Sequence, residues 1–332
     1  MATHTTLYTS GADLYGLDGK KITLRGVNYP LLDDWNFPGK DSLAEIAKTG
    51  ANAVRIQWYV NYGSPNRPKY SLNDLDSFLL RCATAGMIPI LMLSDLTCAS
   101  DAGLVNSKLI PWWTSASVVK VLQKHAKYII LNLANEVGFY RWADNQKTAL
   151  ASYIAAYKTA VASIRRAGLT VPLMIDAPDC GTSLDAFLTA GPQLITADPN
   201  HNLLFSAHAY WAAYDGLLFI PRCIAAKLPI VFGEVANKQD EQVNGTTAYC
   251  YYDLDGTHVG PGKTNGFTYQ SLLTLLQKDG LSWLVWSWGP DNCAARQLST
   301  NSTFASLSTF GQDIVHNPTY GLIATAHRSK LL

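Results

Sequence analysis

The sequence predicts a closed (β/α)8 barrel, a TIM barrel, as a single domain over residues 1–332. Three observations predict it. Eight short runs rich in β-branched residues and leucine alternate with longer stretches of helical periodicity. The runs are continuously apolar, as strands buried on both faces are. Gly50, Gly86, Gly168 and Gly280 each stand where a helix should end before the next strand, the position that favours a left-handed backbone. Eight such units in 332 residues fit a closed barrel better than an open sheet.

In chain order, residues 6–20 (TLYTSGADLYGLDGK) read as a short N-terminal β-hairpin plugging one end of the barrel. Strands are expected at 21–29, 52–58, 87–93, 128–135, 171–177, 203–210, 229–235 and 281–288. Helices are expected between them at 42–49, 72–85, 115–126, 145–167, 183–190, 217–227 and 267–278. The clearest is 145–167, where Ala149, Tyr153, Ala156, Tyr157, Val161 and Ile164 recur at three- and four-residue spacing. No G-x-G-x-x-G follows the first strand and no phosphate loop is present, which argues against a nucleotide-binding sheet. Residues 238–266 form an unusually long segment after the seventh strand, expected to build part of a cleft wall.

Composition narrows the partner. Lys plus Arg number 26 against 25 Asp plus Glu, so no basic excess exists to attract nucleic acid. No apolar run is long enough to span a membrane. Only 15% of residues are charged, while Trp, Tyr and Phe number 9, 17 and 10. Aromatic faces with few charges suit a neutral polyhydroxylated ligand, whose C–H faces pack on rings. That ligand, and a low-charge surface, make a secreted or periplasmic monomer the expectation. The start of the chain carries no signal-peptide pattern.

Six cysteines occur without a C-x-x-C pair, and no three-ligand metal pattern is found, so neither a metal nor another cofactor is expected. Cys250 and Cys293, in loops after neighbouring strands, are the best disulfide candidates. Cys82 and Cys223 read as buried thiols on helices. Asp253-x-Asp255-Gly256 lacks the remaining ligands of a calcium loop and reads as a turn.

A barrel's active site lies at the C-terminal ends of its strands. Polar residues there are Asn28, Arg55, Asp95, Asn135, Glu136, Asp176, His208, Tyr210 and Glu234, with Trp286 and Trp288. A glutamate ending a buried strand must be paired, hydrogen-bonded or functional. Either Glu136 or Glu234 alone could be half of an ion pair with Arg55. Together, on the fourth and seventh strands of one ring, they can converge on one pocket. Two facing carboxyls are what glycoside hydrolysis requires. Arg55 and Tyr210 can hold one carboxylate ionised, Asn135 can bond a ring hydroxyl, and Trp286 offers a flat platform. Trp58, at the end of the second strand, reads as a sugar contact, and Trp142 and Trp211, after the fourth and sixth strands, read the same way. Trp112-Trp113 fits a helix anchor as well as a subsite.

The strings GVNY, NAVRI, LNLANE, FSAHAYW, PIVFGEV and LVWSWG resemble the strand motifs of glycoside hydrolase family 5, retaining enzymes on (β/α)8 barrels. The resemblance runs from about residue 15 to 295 and is closest to the bacterial endo-β-1,4-mannanase branch. It implies hydrolysis of a β-1,4-linked polysaccharide, mannan first. A β-1,4-endoglucanase, or a non-catalytic sugar-binding barrel, are the alternatives. It also implies that Glu136 is the acid/base and Glu234 the nucleophile, supported by Arg55 and Tyr210. Asn135 would contact the 2-hydroxyl of the sugar, His208 would orient Glu136 or substrate, and Trp286 would floor the cleavage subsite. One departure stands out. Where the family usually carries a histidine ending the third strand, this chain has Ser94.

Overall fold

The computed structural model describes residues 4–31, 41–60, 70–257, 260–329 and 331. Three short strands, β1 (Tyr8–Ser10), β2 (Asp13–Tyr15) and β3 (Lys21–Ile22), form an antiparallel sheet at the start. The barrel follows with β4 (Arg25–Tyr29), β5 (Ala53–Trp58), β6 (Ile88–Leu93), β7 (Ile130–Asn132), β8 (Leu173–Asp176), β9 (Leu203–His208) and β10 (Ile230–Val235). An antiparallel hairpin, β11 (Lys238–Val243) and β12 (Thr246–Asp253), interrupts the alternation before the last barrel strand, β13 (Ser282–Val285). All eight barrel strands pair in parallel and β13 closes on β4. Residues 21–22 therefore belong to the N-terminal sheet, so the first barrel strand starts later than expected, at Arg25.

Strand alternation sorts side chains into two cores. Inside the barrel, Ala53, Ile88, Ile90, Ile130, Met174, Leu204, Val231 and Leu284 pack with Leu7, Leu14 and Ile22 of the N-terminal segment. That segment plugs the end opposite the strands' C-termini. It is tied down by Asn202, whose Oδ1 accepts from the Thr9 amide and whose Nδ2 donates to the Leu7 carbonyl. The alternate residues, among them Val54, Ile56, Leu91, Leu131, Phe205 and Phe232, face the surrounding helices. Trp58 and Trp288 lie in this outer core as well.

The helices follow the expected periodicity. Leu72–Thr84 is closed by a reciprocal capping box between Ser71 and Asp74. Gln146–Arg166 starts at Asn145, whose side chain accepts from the Thr148 amide, and buries Tyr153, Tyr157, Val161 and Ile164. Tyr269–Lys278 starts at Thr268 in the same way. The helix expected at 183–190 sits later, at Ala186–Ala197, and carries Pro192 inside it. A further helical stretch, 105–113, precedes the helix Ala116–Lys124 and buries Trp113, whose indole donates to the Leu133 carbonyl. Trp113 is thus the helix anchor rather than a ligand platform. Among the described residues no helix is long and apolar enough to cross a membrane.

Candidate active site

The two glutamates reach one place by different local devices. β7 ends at Asn132, three residues before the expected end. The chain continues to Asn135, whose amide donates to the Leu93 carbonyl, and turns at Glu136 with a left-handed φ of 58°. That conformation is uncommon outside glycine and costs on the order of 1 kcal/mol or more. It is fixed by the Glu136 amide, which donates to Oδ2 of Asp176 at 3.2 Å.

Glu234 depends on a bulge. The register of β10 against β9 shifts between Phe232 and Glu234. Regular alternation from Val231, which faces the barrel interior, would send residue 234 toward the helices. The bulge re-aims it into the cleft. Gly233 makes this possible, because a Cβ there would stand 2.3 Å from Oγ of Ser206 and 3.0 Å from Nε2 of His208.

Both carboxyls are buried, and oxygens of Glu136 and Glu234 lie with a nitrogen of His208 within 4.8 Å of one another. This matches carboxyls about 5–5.5 Å apart, which let one carboxylate attack directly, rather than the ~6.5–9.5 Å that leaves room for water.

Their surroundings differ. Glu234 accepts from Nη1 of Arg55 and from the Tyr210 hydroxyl, both at 2.8 Å. Among the described residues no lysine or arginine contacts Glu136. Its Oε1 lies 2.6 Å from Nδ1 of His208. Burial, and then the Asp176 charge, push the Glu136 carboxyl up to about 8 against a weaker opposing pull from Arg55. Burial also raises Glu234, reinforced by Glu136 and opposed by His208, Arg55 and the Tyr210 hydrogen bond. His208 is held below its ordinary value, chiefly by burial, so it is neutral beside Glu136. Its ring is wedged by Gly181, where an added Cβ would come within 2.6 Å.

Arg55 is the hub. Fully buried, it donates to Asn132, Asn28, Glu234, Asn135 and Asp176. Asp176 in turn accepts from Asn132 and from the Glu136 amide, and Asn28 donates to the Gly233 and Val285 carbonyls. Every interior position at this level of β4, β5, β7 and β8 is thus polar and paired. Asn132 escaped the sequence reading because it lies inside an apolar run. Its parity with Ile130, which faces the barrel interior, was the available signal.

The cleft above the pair measures about 1680 Å3 and includes Ser94, Asn135, Tyr210 and Trp286 in its lining. The indole of Trp286 donates to Oδ2 of Asp291 at 2.7 Å. Arg296 clamps Asp291 and reaches across to Asp240 on β11. The hairpin β11–β12 contributes Gln239, Asp240, Glu241, Gln242, Thr247 and Tyr249 to the lining, the wall foreseen for 238–266, of which residues 258 and 259 lie outside the described residues. Trp142 is 54% exposed and lines the cleft; its amide and those of Tyr140 and Arg141 donate to Asp179.

Three expected ring contacts are corrected. Trp58 alternates with Arg55 and Gln57, so it faces the helices, buried against Tyr70. Trp288 is fully buried in the outer core, the chain having left the strand after Val285. Trp211 is likewise buried, packed edge-on against Phe232 and Phe267.

Cys250 and Cys293 form a disulfide that ties β12 to the loop after β13. A second disulfide, Cys98–Cys180, was not foreseen. Cys82 and Cys223 are buried free thiols, as expected. Glu136, His208 and Glu234 are of metal-ligand type, but their contacts with one another, Arg55 and Tyr210 already account for their arrangement.

A (β/α)8 barrel with two buried, unequally dressed carboxyls in an open cleft has the equipment of a retaining glycosidase. Residues 15–292 match the family described as Cellulase (glycosyl hydrolase family 5), and the chain belongs to that family. It is similar to the mannan endo-1,4-beta-mannosidase of Cellvibrio japonicus, at 25% identity over 98% of this chain and 69% of the relative. The enzyme of the same name from Salipaludibacillus agaradhaerens is 24% identical, over 93% of this chain and 90% of its own. Among solved structures, the beta-mannanase of Streptomyces thermolilacinus superposes with a TM-score of 0.77 at 25% identity, covering 98% of this chain and 99% of that one; it is also known with mannohexaose.

Proposed function

We propose that this glycoside hydrolase is an endo-β-1,4-mannanase that cleaves mannan-type polysaccharide with retention. The observation that carries the mechanism is the unequal dressing of two carboxyls within 4.8 Å. Glu234, gripped by Arg55 and Tyr210, is the nucleophile; Glu136, kept protonated by burial and the Asp176 charge, is the acid/base.

In the first step an oxygen of Glu234 attacks the anomeric carbon while Glu136 gives its proton to the departing glycosidic oxygen. The product is a glycosyl ester on Glu234. Esterification removes the Glu234 charge and with it the repulsion between the two carboxylates. Glu136, now ionised, takes a proton from water, whose oxygen displaces Glu234. Asn135, held by Arg55, faces the 2-hydroxyl, and Trp286 floors the subsite.

The choice of mannan rests on the similarity to enzymes of that name. A secreted or periplasmic, monomeric, single-domain enzyme is the setting we propose, and two disulfides fit an oxidising compartment.

Two measurements test this reading. Reducing-sugar release from mannan should exceed that from carboxymethyl cellulose and xylan; the reverse order would make the enzyme a glucanase or xylanase. Azide should yield a β-glycosyl azide from Glu136→Ala with an activated substrate, and an α-azide from Glu234→Ala. Reversed configurations would exchange the two roles.

A further inference from the structure

The Cys98–Cys180 disulfide joins the loop after β6 to the loop after β8, the two strands that flank β7. It therefore spans the end of the strand that delivers Glu136. Sγ of Cys98 stands 3.1 Å from Oε2 of Glu136, the oxygen not engaged by His208. Both cysteines are partly exposed and line the cleft. Cys98, Cys180 and Glu136 all have left-handed backbones, so three unfavourable conformations converge on this one contact.

A disulfide sulfur carries no proton. A thiol at the same place would donate to Oε2 and favour the ionised carboxylate. The other groups facing Glu136 are Asp176 from β8, Arg55 from β5, His208 and Tyr210 from β9 and its following residues, and Glu234 from β10. None of them is a partner in the disulfide.

We propose that Cys98 and Cys180 are redox-sensitive positioning residues for the acid/base: oxidised, they set a proton-free sulfur against Oε2 of Glu136 and keep the acid in its protonated form; reduced, they supply a thiol donor that ionises it. The reduction is a two-electron exchange with an external dithiol. The S–S bond breaks, each Sγ gains a proton and an electron, and the reductant leaves as its own disulfide. The inference rests on the role assigned above to Glu136.

The test compares kcat/KM against pH for a β-mannan oligosaccharide and for an aryl β-mannoside whose leaving group departs without protonation. Cys180→Ala leaves the Cys98 thiol facing Oε2, whereas Cys98→Ala/Cys180→Ala leaves no donor. In Cys180→Ala the basic limb should move to lower pH, with about a tenfold loss on the oligosaccharide above pH 8, the factor one charge-assisted hydrogen bond represents. The loss should vanish on the activated substrate, and the double variant should keep the wild-type limb. Dithiol treatment of the wild type should reproduce the Cys180→Ala profile, reversibly on reoxidation, and do so equally in a Cys250→Ala/Cys293→Ala background. Identical limbs in the single and double variants, or equal losses on both substrates, would overturn the proposal and leave a merely structural crosslink. If Glu136→Ala shows no dependence on leaving group, the role of Glu136 itself fails, a result distinct from failure of the redox effect.

Discussion

Replacing Glu136 with Gln should make the protein more stable, and only at higher pH. The carboxyl is buried with its pKa raised from 4.5 to about 8. Between those values the folded protein retains a proton that the unfolded chain releases. Raising the pH therefore favours unfolding, so the stability linked to this proton is complete below about pH 4.5 and is lost as pH rises through about 8. At about 1.36 kcal/mol per unit, the 3.5-unit interval (8 − 4.5) sets a ceiling of about 5 kcal/mol on the loss. Local relaxation around an ionised carboxylate brings the working figure to roughly 2–4 kcal/mol. Gln keeps the shape and cannot ionise, so it removes the penalty. Urea unfolding at intervals from pH 4 to 9 should show wild type and Glu136→Gln converging in pH slope below about pH 4.5. Their difference should widen in favour of the variant up to pH 9. A difference independent of pH would mean that Glu136 ionises at an ordinary value, and its assignment as the acid would fall.

Tyr210→Phe deletes one charge-assisted bond to Glu234, about 1.5–3 kcal/mol; kcat/KM should fall by one to two orders of magnitude and the acidic limb should move up, whereas an unmoved limb would detach Tyr210 from the nucleophile. Trp58→Ala should lower stability by about 3–5 kcal/mol in chemical denaturation, while Trp142→Ala should change stability by under ~0.5 kcal/mol and raise KM for long mannan oligosaccharides; the opposite pattern would return Trp58 to the cleft. Ser94→His should alter KM or the mannan-to-glucan preference by about threefold or more in steady-state assays, since a ring there enters a lining position and replaces up to ~1–3 kcal/mol of contact free energy; unchanged kinetics would place residue 94 away from the reacting sugar.

Much of the barrel was legible because burial on both strand faces writes long apolar runs, and because helix ends were marked by Gly50, Gly86, Gly168 and Gly280. The chain's polar exceptions to those runs located Arg55, Glu136, His208 and Glu234 for the same reason. What was not legible depended on parity and on contacts distant in sequence. Trp58 and Trp211 were misplaced by reading strand ends as a whole, when only alternate residues face the cleft. Glu234 shows that parity alone also misleads: counting from Val231 would have pointed it outward, and the Gly233 bulge reverses that. The Cys98–Cys180 bond joins loops 82 positions apart, with neither cysteine in a spacing motif. Asp291 and Arg296, which steady Trp286, lie in an irregular loop where no periodicity speaks for them.

The proposed division of labour between the glutamates follows from where the buried Arg55 guanidinium reaches. Arg55 contacts Glu234 and Asp176 directly and is linked to Glu136 by Asp176, whose Oδ2 is shared between Arg55 and the Glu136 amide. Asp176 thus fixes the backbone of Glu136 while its charge opposes ionisation of the side chain. Exchanging the roles would require Arg55 to leave Glu234, stranding a buried carboxylate with only the Tyr210 hydroxyl and His208 beside it. Losing one partner of such a pair costs about 3–5 kcal/mol, roughly a hundredfold to a few thousandfold in population by the usual conversion of ~1.4 kcal/mol per decade. The asymmetry is therefore a property of the framework before any sugar binds, and substrate meets one carboxyl already protonated and the other already held.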